Sequence, residues 1–223
     1  MRLAETGTLA ELTDALRAHP IGAVDELGRT ALHGAAASGR SDVTAELLRR
    51  GAPLEATSLR GSTPLLEACE AADAGVVRAL LDALADVNAR EADGSTVMHA
   101  LARASAPPEA EAARCLELLL RSTGGAALCA AVDAAGHPPL VRFAASGLGS
   151  CVARLLDAHT SGRGPKPNAA TLDAALRAAA AAGRLEVTRL LLGRGARPAA
   201  AHAPGGCALH LAALGGHAAT LRL

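Results

Sequence analysis

The chain has 223 residues, of which 22 are basic and 22 acidic, and half of its residues are hydrophobic. It contains no Trp or Tyr and a single Phe, Phe143. Proteins that bind nucleic acid usually combine a basic stripe with aromatic platforms, so nucleic acid is not an expected partner. The five cysteines are odd in number and widely spaced, which excludes a disulfide framework.

The beginning of the chain, Met1 to Glu5, lacks an apolar signal segment, and no stretch approaches membrane-spanning length. We therefore expect a cytoplasmic or nuclear protein without membrane insertion. The charges are unevenly distributed: through Glu111 there are 10 basic and 17 acidic residues (net −7), and after it 12 and 5 (net +7). This dipole is compatible with salt-sensitive self-association, and solvated helix faces are the alternative explanation.

A repeat of 33 residues organises the first half of the chain. Gly28, Gly61 and Gly94 are 33 residues apart, and each precedes a threonine by two positions. Aligned on that threonine, six copies are visible, which begin with Thr30-Ala31-Leu32-His33, Thr63-Pro64-Leu65-Leu66, Thr96-Val97-Met98-His99, Pro138-Pro139-Leu140-Val141, Ala174-Ala175-Leu176-Arg177 and Cys207-Ala208-Leu209-His210. A fixed period of this length is typical of stacked repeat proteins.

Each copy predicts two helices. Nine residues after its first position lies a small residue at which the first helix should end, and a second helix with a pair of leucines follows, such as Leu47-Leu48 and Leu80-Leu81. Before Gly28, the leucines at positions 9, 12 and 16 have helical spacing and precede Pro20, which suits half of a capping unit.

These motifs resemble the ankyrin-repeat family, whose unit reads roughly G-x-T-P-L-H-x-A-A-x-x-G, then V-V-x-x-L-L and G-A-D-x-N. The resemblance covers nearly the whole chain and implies an all-α solenoid of helix-turn-helix units with β-hairpin-like fingers. The predicted parts are a capping half-repeat (1–24), repeats at 25–56, 57–89, 90–131 (with insertions) and 132–159, a linker (160–168), a degenerate repeat (169–200) and an incomplete repeat (201–223).

Two interruptions of the period stand out. Gly94 and Gly136 are 42 residues apart, and the excess is divided between the segment Ala104 to Pro108 and the turn after Ser122. The segment Thr160 to Pro167 contains two glycines and two prolines, so we interpret it as a linker, after which a second block of repeats begins. The last unit stops at Leu223, soon after its second helix starts, which we interpret as a piece of a longer protein.

No constellation of residues predicts catalysis. The cluster His202, Cys207, His210 and His217 matches no standard zinc spacing, and the repeat explains three of its members. The resemblance implies that His33, His99 and His210 bond the threonine position and nearby backbone. A phosphate loop and a nucleophile elbow are absent. The sequence thus predicts a protein that is not an enzyme and has no cofactor or metal.

Asn88 is a candidate modification site. It ends a segment that is similar to the motif of the asparaginyl hydroxylase acting on ankyrin proteins, with Leu80 eight residues before it, Asp86 two before and Val87 one before. The alternative is an asparagine that stabilises a turn.

A partner-binding face is implied by the resemblance, because ankyrin proteins bind through their fingers and the outward positions of their first helices. Carried over to this sequence, that face comprises Glu26, Arg29, Arg60, Glu67, Glu70, Asp73, Arg90, Glu91, Asp93, Arg103 and Arg142. The mixed charge of this strip would suit a basic or zwitterionic segment of a partner protein.

The sequence therefore predicts a non-catalytic scaffold or adaptor that binds another protein. Two alternatives remain. One is the substrate-receptor part of a ubiquitin ligase of the SOCS-box type, with the box missing from this chain, because residues 112–119 after the insertion look like copies in that family. The other is a direct inhibitor of an enzyme such as a kinase.

Overall fold

The structure is a computed structural model that describes residues 2–7, 20–105, 107–158, 162, 164–199 and 206–223. In these ranges it contains fourteen helices, and the only β-structure is two isolated antiparallel bridges, Val24 with Thr30 and Arg90 with Thr96. The all-α prediction with hairpin-like fingers is confirmed. Among the described residues, every helix is too short or too polar to cross a membrane.

The chain divides into two compact units, residues 1–124 and 125–223. Unit 1 contains α1 (Arg2–Thr6), α2 (Ala31–Ala37), α3 (Ser41–Arg49), α4 (Pro64–Ala71), α5 (Ala74–Asp82), α6 (Val97–Arg103) and α7 (Glu109–Arg121). Unit 2 contains α8 (Gly125–Leu128), α9 (Pro139–Ser146), α10 (Gly149–Asp157), α11 (Ala169–Ala181), α12 (Leu185–Gly193), α13 (Ala208–Leu214) and α14 (Ala218–Leu221).

Helix pairs stack in two rows within unit 1. The first helices α2, α4 and α6 pack side by side, and so do the second helices α3, α5 and α7. Leu32, Leu66 and Met98, which lie near the start of the first helices, are fully buried. This burial stabilises each repeat through its neighbours, as expected for a repeat protein.

Unit 2 follows the same plan. Its first helices α9, α11 and α13 pack in sequence, as do the second helices α10, α12 and α14. Phe143 on α9 is fully buried, as is Leu191 on α12.

Threonines begin the first helices of unit 1. The backbone of Thr30, Thr63 and Thr96 is extended, and each precedes a helix as its N-cap. Thr63 accepts a hydrogen bond from the Leu66 amide at 3.5 Å, and Pro64 fits the first helical position because its missing N–H needs no partner there.

Two segments between helices correspond in position to the predicted insertions of the third repeat. One separates α6 from α7 at residues 104–108, and the other follows α7 and includes the short helix α8. Helix α7 itself has 13 residues, against 9 in α3 and α5.

The boundary between the two compact units follows Gly124, within the segment 90–131 that the sequence assigns to one repeat. The predicted linker, 160–168, lies within the range of unit 2. Helices on both sides of that linker pack together, α9 with α11 and α10 with α12, so burial of their apolar faces joins them in one unit. The individual repeat boundaries stay predictions, and the capping leucines at positions 9, 12 and 16 lie outside the described residues.

Candidate protein-binding surface

The fingers are built from one recurring turn. The turn occurs in four repeats and contains two backbone hydrogen bonds of 2.8–3.2 Å. In the first, the amide of one residue donates to the carbonyl of the residue four positions later; in the second, the amide of the turn glycine donates to the carbonyl of that same first residue. The first and last residues of the four turns are Asp25 and Arg29, Ser58 and Ser62, Glu91 and Ser95, and Asp133 and His137. The glycine of each turn has a φ of 72–75°, a left-handed conformation that side chains disfavour. This requirement explains the glycine period of the sequence.

Adjacent fingers of unit 1 are joined by hydrogen bonds. The Leu59 amide donates to the Leu27 carbonyl at 2.9 Å, and the Ala92 amide donates to the Arg60 carbonyl at 3.0 Å. A Cβ atom at Gly61 would lie 3.2 Å from the Ala92 nitrogen, so a side chain there would disturb this contact. The three fingers therefore form a continuous edge.

Five of the predicted binding residues meet beside this edge. The Nη2 atom of Arg60 lies 3.7 Å from Glu67, 3.2 Å from Glu70 and 3.4 Å from Glu91. The Nη2 atom of Arg103 lies 2.6 Å from Glu91 and 3.4 Å from Glu70. We call these five residues, from two successive repeats, the ion cluster.

Burial differs strongly within the ion cluster. The Glu91 side chain is only 7% exposed, whereas that of Arg60 is 62% exposed. Burial by itself would lower the pKa of the Arg103 guanidinium, but the charge and hydrogen bonds of Glu91 and Glu70 outweigh it and raise that pKa. Arg103 and Glu91 thus form the well-held pair, and Arg60 is the loosely held member.

The remaining predicted residues lie outside the ion cluster. Arg29 bonds Asp25 at 3.0 Å and pairs with Glu5, and Arg90 donates to the Gly94 carbonyl at 3.0 Å. Glu26 is exposed at the tip of the first finger. The contacts of Arg29 and Arg90 hold their own fingers.

Three more of the predicted residues have local structural contacts. Asp73 caps α5 by accepting a hydrogen bond from the Val76 amide at 2.8 Å. Arg142 belongs to unit 2, where it bonds Asp133 at 2.5 and 2.8 Å. The Asp73 contact makes this residue unsuitable for testing a binding face, because its replacement would also remove a helix cap. The Asp93 side chain accepts from the Ser95 amide at 2.9 Å and belongs to the third finger turn.

The repeat histidines have the structural role that the resemblance implies. The Thr30 amide donates to Nδ1 of His33 at 3.1 Å, so Nε2 carries the proton and donates to the Ser62 carbonyl at 2.9 Å. His99 bonds Thr96 in the same way. Burial lowers the pKa of the His33 imidazole, and the Ser62 carbonyl and the Glu67 charge offset only part of this. His33 is therefore a neutral, fully bonded core residue.

Cysteines and histidines provide no reactive or metal-binding group among the described residues. Burial raises the pKa of the Cys129 thiol to about 11 and that of the Cys69 thiol well above its ordinary value, so both thiols are protonated and weakly nucleophilic at neutral pH. Cys207 and His210 lie 2.9 Å apart in the repeat geometry. In the described part of the chain, no three His, Cys, Asp or Glu side chains come together as a metal site, and His202 lies outside it.

A contact that the sequence argument missed recurs in three repeats. The residue after the turn glycine reaches back to a backbone carbonyl of the preceding segment: Arg40 to Gly7, Arg184 to Ala145 at 3.1 Å, and His217 to Ala181 at 3.0 Å. Ala145 and Ala181 lie at helix ends, where donors and positive charge are favourable. The sequence contained a signal for this contact, because Arg40 and Arg184 occupy the same repeat position.

Asn88 lies in the turn after α5. Its side chain is exposed, and both its backbone amide (2.9 Å) and its Nδ2 atom (3.3 Å) donate to Asp86. A groove of about 580 Å³ adjoins it, with Leu84 and Asp86 in its wall. Leu80, the leucine eight residues earlier, is fully buried.

Stacked helix pairs and fingers joined by hydrogen bonds define a repeat protein. Residues 1–91 match the family model described as ankyrin repeats (3 copies). The human ASB11 ankyrin repeat domain superposes with a TM-score of 0.78 at 24% identity, covering 99% of this chain and 95% of that one. Residues 1–91 are therefore similar to ankyrin repeats, and the chain has the ankyrin-repeat fold, which is typically a non-enzymatic interaction fold.

Two sequence relatives cover only a segment. Neurogenic locus notch homolog protein 1 of Xenopus laevis is 41% identical over 76 residues, and the same protein of Xenopus tropicalis gives the same identity and length. The matched segment covers 34% of this chain and 3% of each relative. The chain thus shares repeats with these much longer proteins.

Proposed function

We propose that this chain is a non-catalytic scaffold or adaptor that binds another protein through the fingers of unit 1 and the ion cluster. The observation that carries the proposal is the convergence of five charged residues, spread over positions 60 to 103, on one side of three joined fingers. Charged groups arranged on a rigid surface favour a complementary partner and orient it.

The surface also offers apolar contact. Leu59 is 77% exposed and Leu27 is 55% exposed at neighbouring fingertips, so two large apolar side chains lie close together on the surface. They line a groove of about 220 Å³ together with Arg60, Glu67 and Glu70. Apolar side chains next to charged ones are the combination that protein interfaces use for affinity and orientation.

Site-specific photo-crosslinking in cells tests this function. A photoreactive phenylalanine analogue replaces Leu59 in the full chain, and a second variant carries it at Leu84, which is at least as exposed (88% against 77%) but lies after α5. We expect a discrete covalent protein adduct from position 59 that position 84 does not give. The absence of an adduct from position 59, or the same adduct from both positions, would contradict the proposal.

The alternatives of a ubiquitin-ligase receptor and an enzyme inhibitor stay predictions. The likeness to the ASB11 ankyrin repeat domain shows the fold alone at 24% identity. Identification of the crosslinked protein by mass spectrometry distinguishes these alternatives, because each requires a different class of partner.

We propose in addition that Asn88 is hydroxylated. Its exposed side chain and the groove beside it support access by an enzyme, whereas the burial of Leu80 means that the segment must open locally first. Treatment with the asparaginyl hydroxylase should add one oxygen to the Asn88 peptide in mass spectrometry. Asn168, the other asparagine, caps α11 and serves as the internal control. An unmodified Asn88 peptide would refute this.

Self-association is a third proposal, supported by the charge of the two units. Unit 1 contains 12 basic and 18 acidic residues (net −6), and unit 2 contains 10 and 4 (net +6). Sedimentation velocity should show dimers or larger species at low salt that dissociate at high salt. A monomer at both salt concentrations would exclude it.

A further inference from the structure

The groove between the first two fingers contains a carboxylate with weak internal contacts. The Glu67 side chain is only 13% exposed, yet among the described residues its carboxylate has no hydrogen bond, and its ion pair is the 3.7 Å contact with Arg60. A mostly buried carboxylate is normally stabilised by closer donors. Glu67 therefore has unused capacity to accept hydrogen bonds at the floor of the groove.

Arg60 is a weak occupant of this position. One nitrogen of its guanidinium is shared among three carboxylates at 3.2–3.7 Å, and most of the side chain is in solvent. Exposed pairs with this geometry contribute little free energy. Glu91 does not depend on Arg60, because Arg103 holds it at 2.6 Å. Arg60 can therefore leave Glu67 and Glu70 at small cost.

The charges identify the chemistry of a replacement. Glu67, Glu70 and Glu91 carry three negative charges against two positive charges on Arg60 and Arg103. Arg29 also lines the groove, but Asp25 pairs with it at 3.0 Å, and unit 1 as a whole is acidic. A planar guanidinium can bond two carboxylates at once, which the ammonium group of lysine does less well. The adjoining Leu27 and Leu59 favour an aliphatic side chain next to it.

We propose that the groove lined by Leu27, Leu59, Arg60, Glu67 and Glu70 binds an arginine side chain of a partner segment, flanked by an aliphatic residue. The incoming guanidinium bonds Glu67 and Glu70 and displaces Arg60 toward solvent. Arg60 is then an internal competitor rather than a binding residue. The inference rests on the proposed function and adds the chemical class of the partner.

Short peptides test the inference directly. The probe is acetyl-Ser-Leu-Arg-Leu-Ser-amide, and its counterparts carry citrulline, a neutral isostere of arginine, or lysine in the central position. Titration into the full chain is followed by the amide NMR signals of Leu59, Glu67 and Glu70. We expect saturable shifts with the arginine peptide, weaker ones with the lysine peptide, and none with the citrulline peptide. Equal shifts with arginine and citrulline would overturn the inference.

Variants of the chain are expected to change the affinity for the arginine peptide in opposite directions. Arg60→Ala removes the competitor and should tighten binding of the arginine peptide about two- to fivefold. Glu67→Gln and Glu70→Gln should each weaken it about tenfold or more, because a charged acceptor is lost. Arg49→Ala, which removes an exposed arginine paired with Glu46 on α3, is the matched control and should change nothing.

The results separate the inference from the proposed function. Weaker peptide binding by Arg60→Ala would show that Arg60 is itself a contact, and unchanged binding by both glutamine variants would show that the groove is not the site. Either result overturns the inference. Crosslinks from position 59 would still support a protein-binding surface in that case. A thermal melt of each variant verifies that its fold is intact.

Discussion

In unit 1, arginines and glutamates of two successive repeats meet in one cluster, whereas in unit 2 the described aspartates each pair with an arginine. Asp133 pairs with Arg142, Asp157 with Arg194 and Asp173 with Arg197, at 2.5–2.8 Å. Unit 2 has only four acidic residues, and its three aspartates are held in these internal ion pairs. Unit 1 has eighteen, which leaves carboxylates such as Glu67 available to a partner.

The comparison extends to a single finger position. Asp25, Ser58, Glu91 and Asp133 occupy the same place in their turns. The short Asp133 side chain bonds the amides of Ala135 and His137 within its own turn. Glu91 is one methylene longer, and it extends to arginines of two repeats instead. The extra methylene of Glu91 thus accompanies a change from contacts within one turn, as at Asp133, to contacts between repeats.

The largest expected effect concerns the cores of the units. Phe143 of unit 2 occupies the repeat position that Leu101 has in unit 1, and both are fully buried. Phe143→Ala should lower the free energy of unfolding by about 3–5 kcal/mol and Leu101→Ala by about 2–5 kcal/mol, measured by urea denaturation. A loss below about 1 kcal/mol in either would mean that the corresponding unit packs loosely.

The two equivalent finger acids should differ in the next test. Asp133→Ala removes two backbone bonds and the Arg142 pair, so we expect a loss of about 2–3 kcal/mol. Glu91→Ala removes only contacts with arginines, and water can partly replace the lost contact at Arg103. We therefore expect it to lower the free energy of unfolding by about 1–2 kcal/mol. Urea denaturation of both variants gives the comparison, and the reverse order would contradict the assigned contacts.

Acid should weaken unit 1 through His33. Its folded pKa lies below the ordinary value of 6.5, so in the window between the two values the unfolded state binds more protons. Stability is therefore complete above about pH 6.5 and falls, by at most about 1.4 kcal/mol per pH unit for this group, as the pH drops through that window. His33→Leu, which introduces the residue that Leu66 provides in the next repeat, should reduce this slope in urea denaturation from about pH 7.5 to about pH 5.5. An unchanged slope would assign the acid sensitivity to other groups.

The smallest effect contrasts two turns after the second helices. Leu84 is 88% exposed with a φ of 67°, whereas Gly195 has the equivalent place in unit 2 with a φ of 88°. A left-handed leucine is strained, and glycine relieves the strain at some cost in chain entropy. Leu84→Gly should stabilise the protein by about 0.5 kcal/mol, and Gly195→Leu should destabilise it by about 1 kcal/mol in thermal or urea denaturation. Destabilisation by Leu84→Gly would show that Leu84 makes a needed contact.

Much of this fold could be predicted because its signals are local and repeated. Gly28, Gly61 and Gly94 are required by the same left-handed turn, and His33 bonds the threonine three residues before it. The partition at Gly124 could not be predicted, because it depends on which helices pack together rather than on any residue at the boundary.

The site shows the same limit. The resemblance indicated the binding face but not the geometry within it. From the sequence alone, Glu67 and Asp73 were therefore equally good candidates for binding residues. In the structure, Asp73 caps α5 and Glu67 faces the groove. An aspartate before a helix is a known capping signal, and that signal could have separated the two.

The central claim is that a partner protein binds at the ion cluster. The most direct test compares two charge-reversal variants in cells. The double variant Glu67→Arg/Glu70→Arg changes the finger groove, and Glu46→Arg/Glu117→Arg makes the same charge change on the second helices α3 and α7. The measurement is the yield of the covalent protein adduct formed by the photoreactive analogue at position 59. The account predicts that the groove variant loses the adduct while the second-helix variant retains it. An adduct that survives in the groove variant, or is lost equally in both, would contradict a partner-binding surface at the ion cluster.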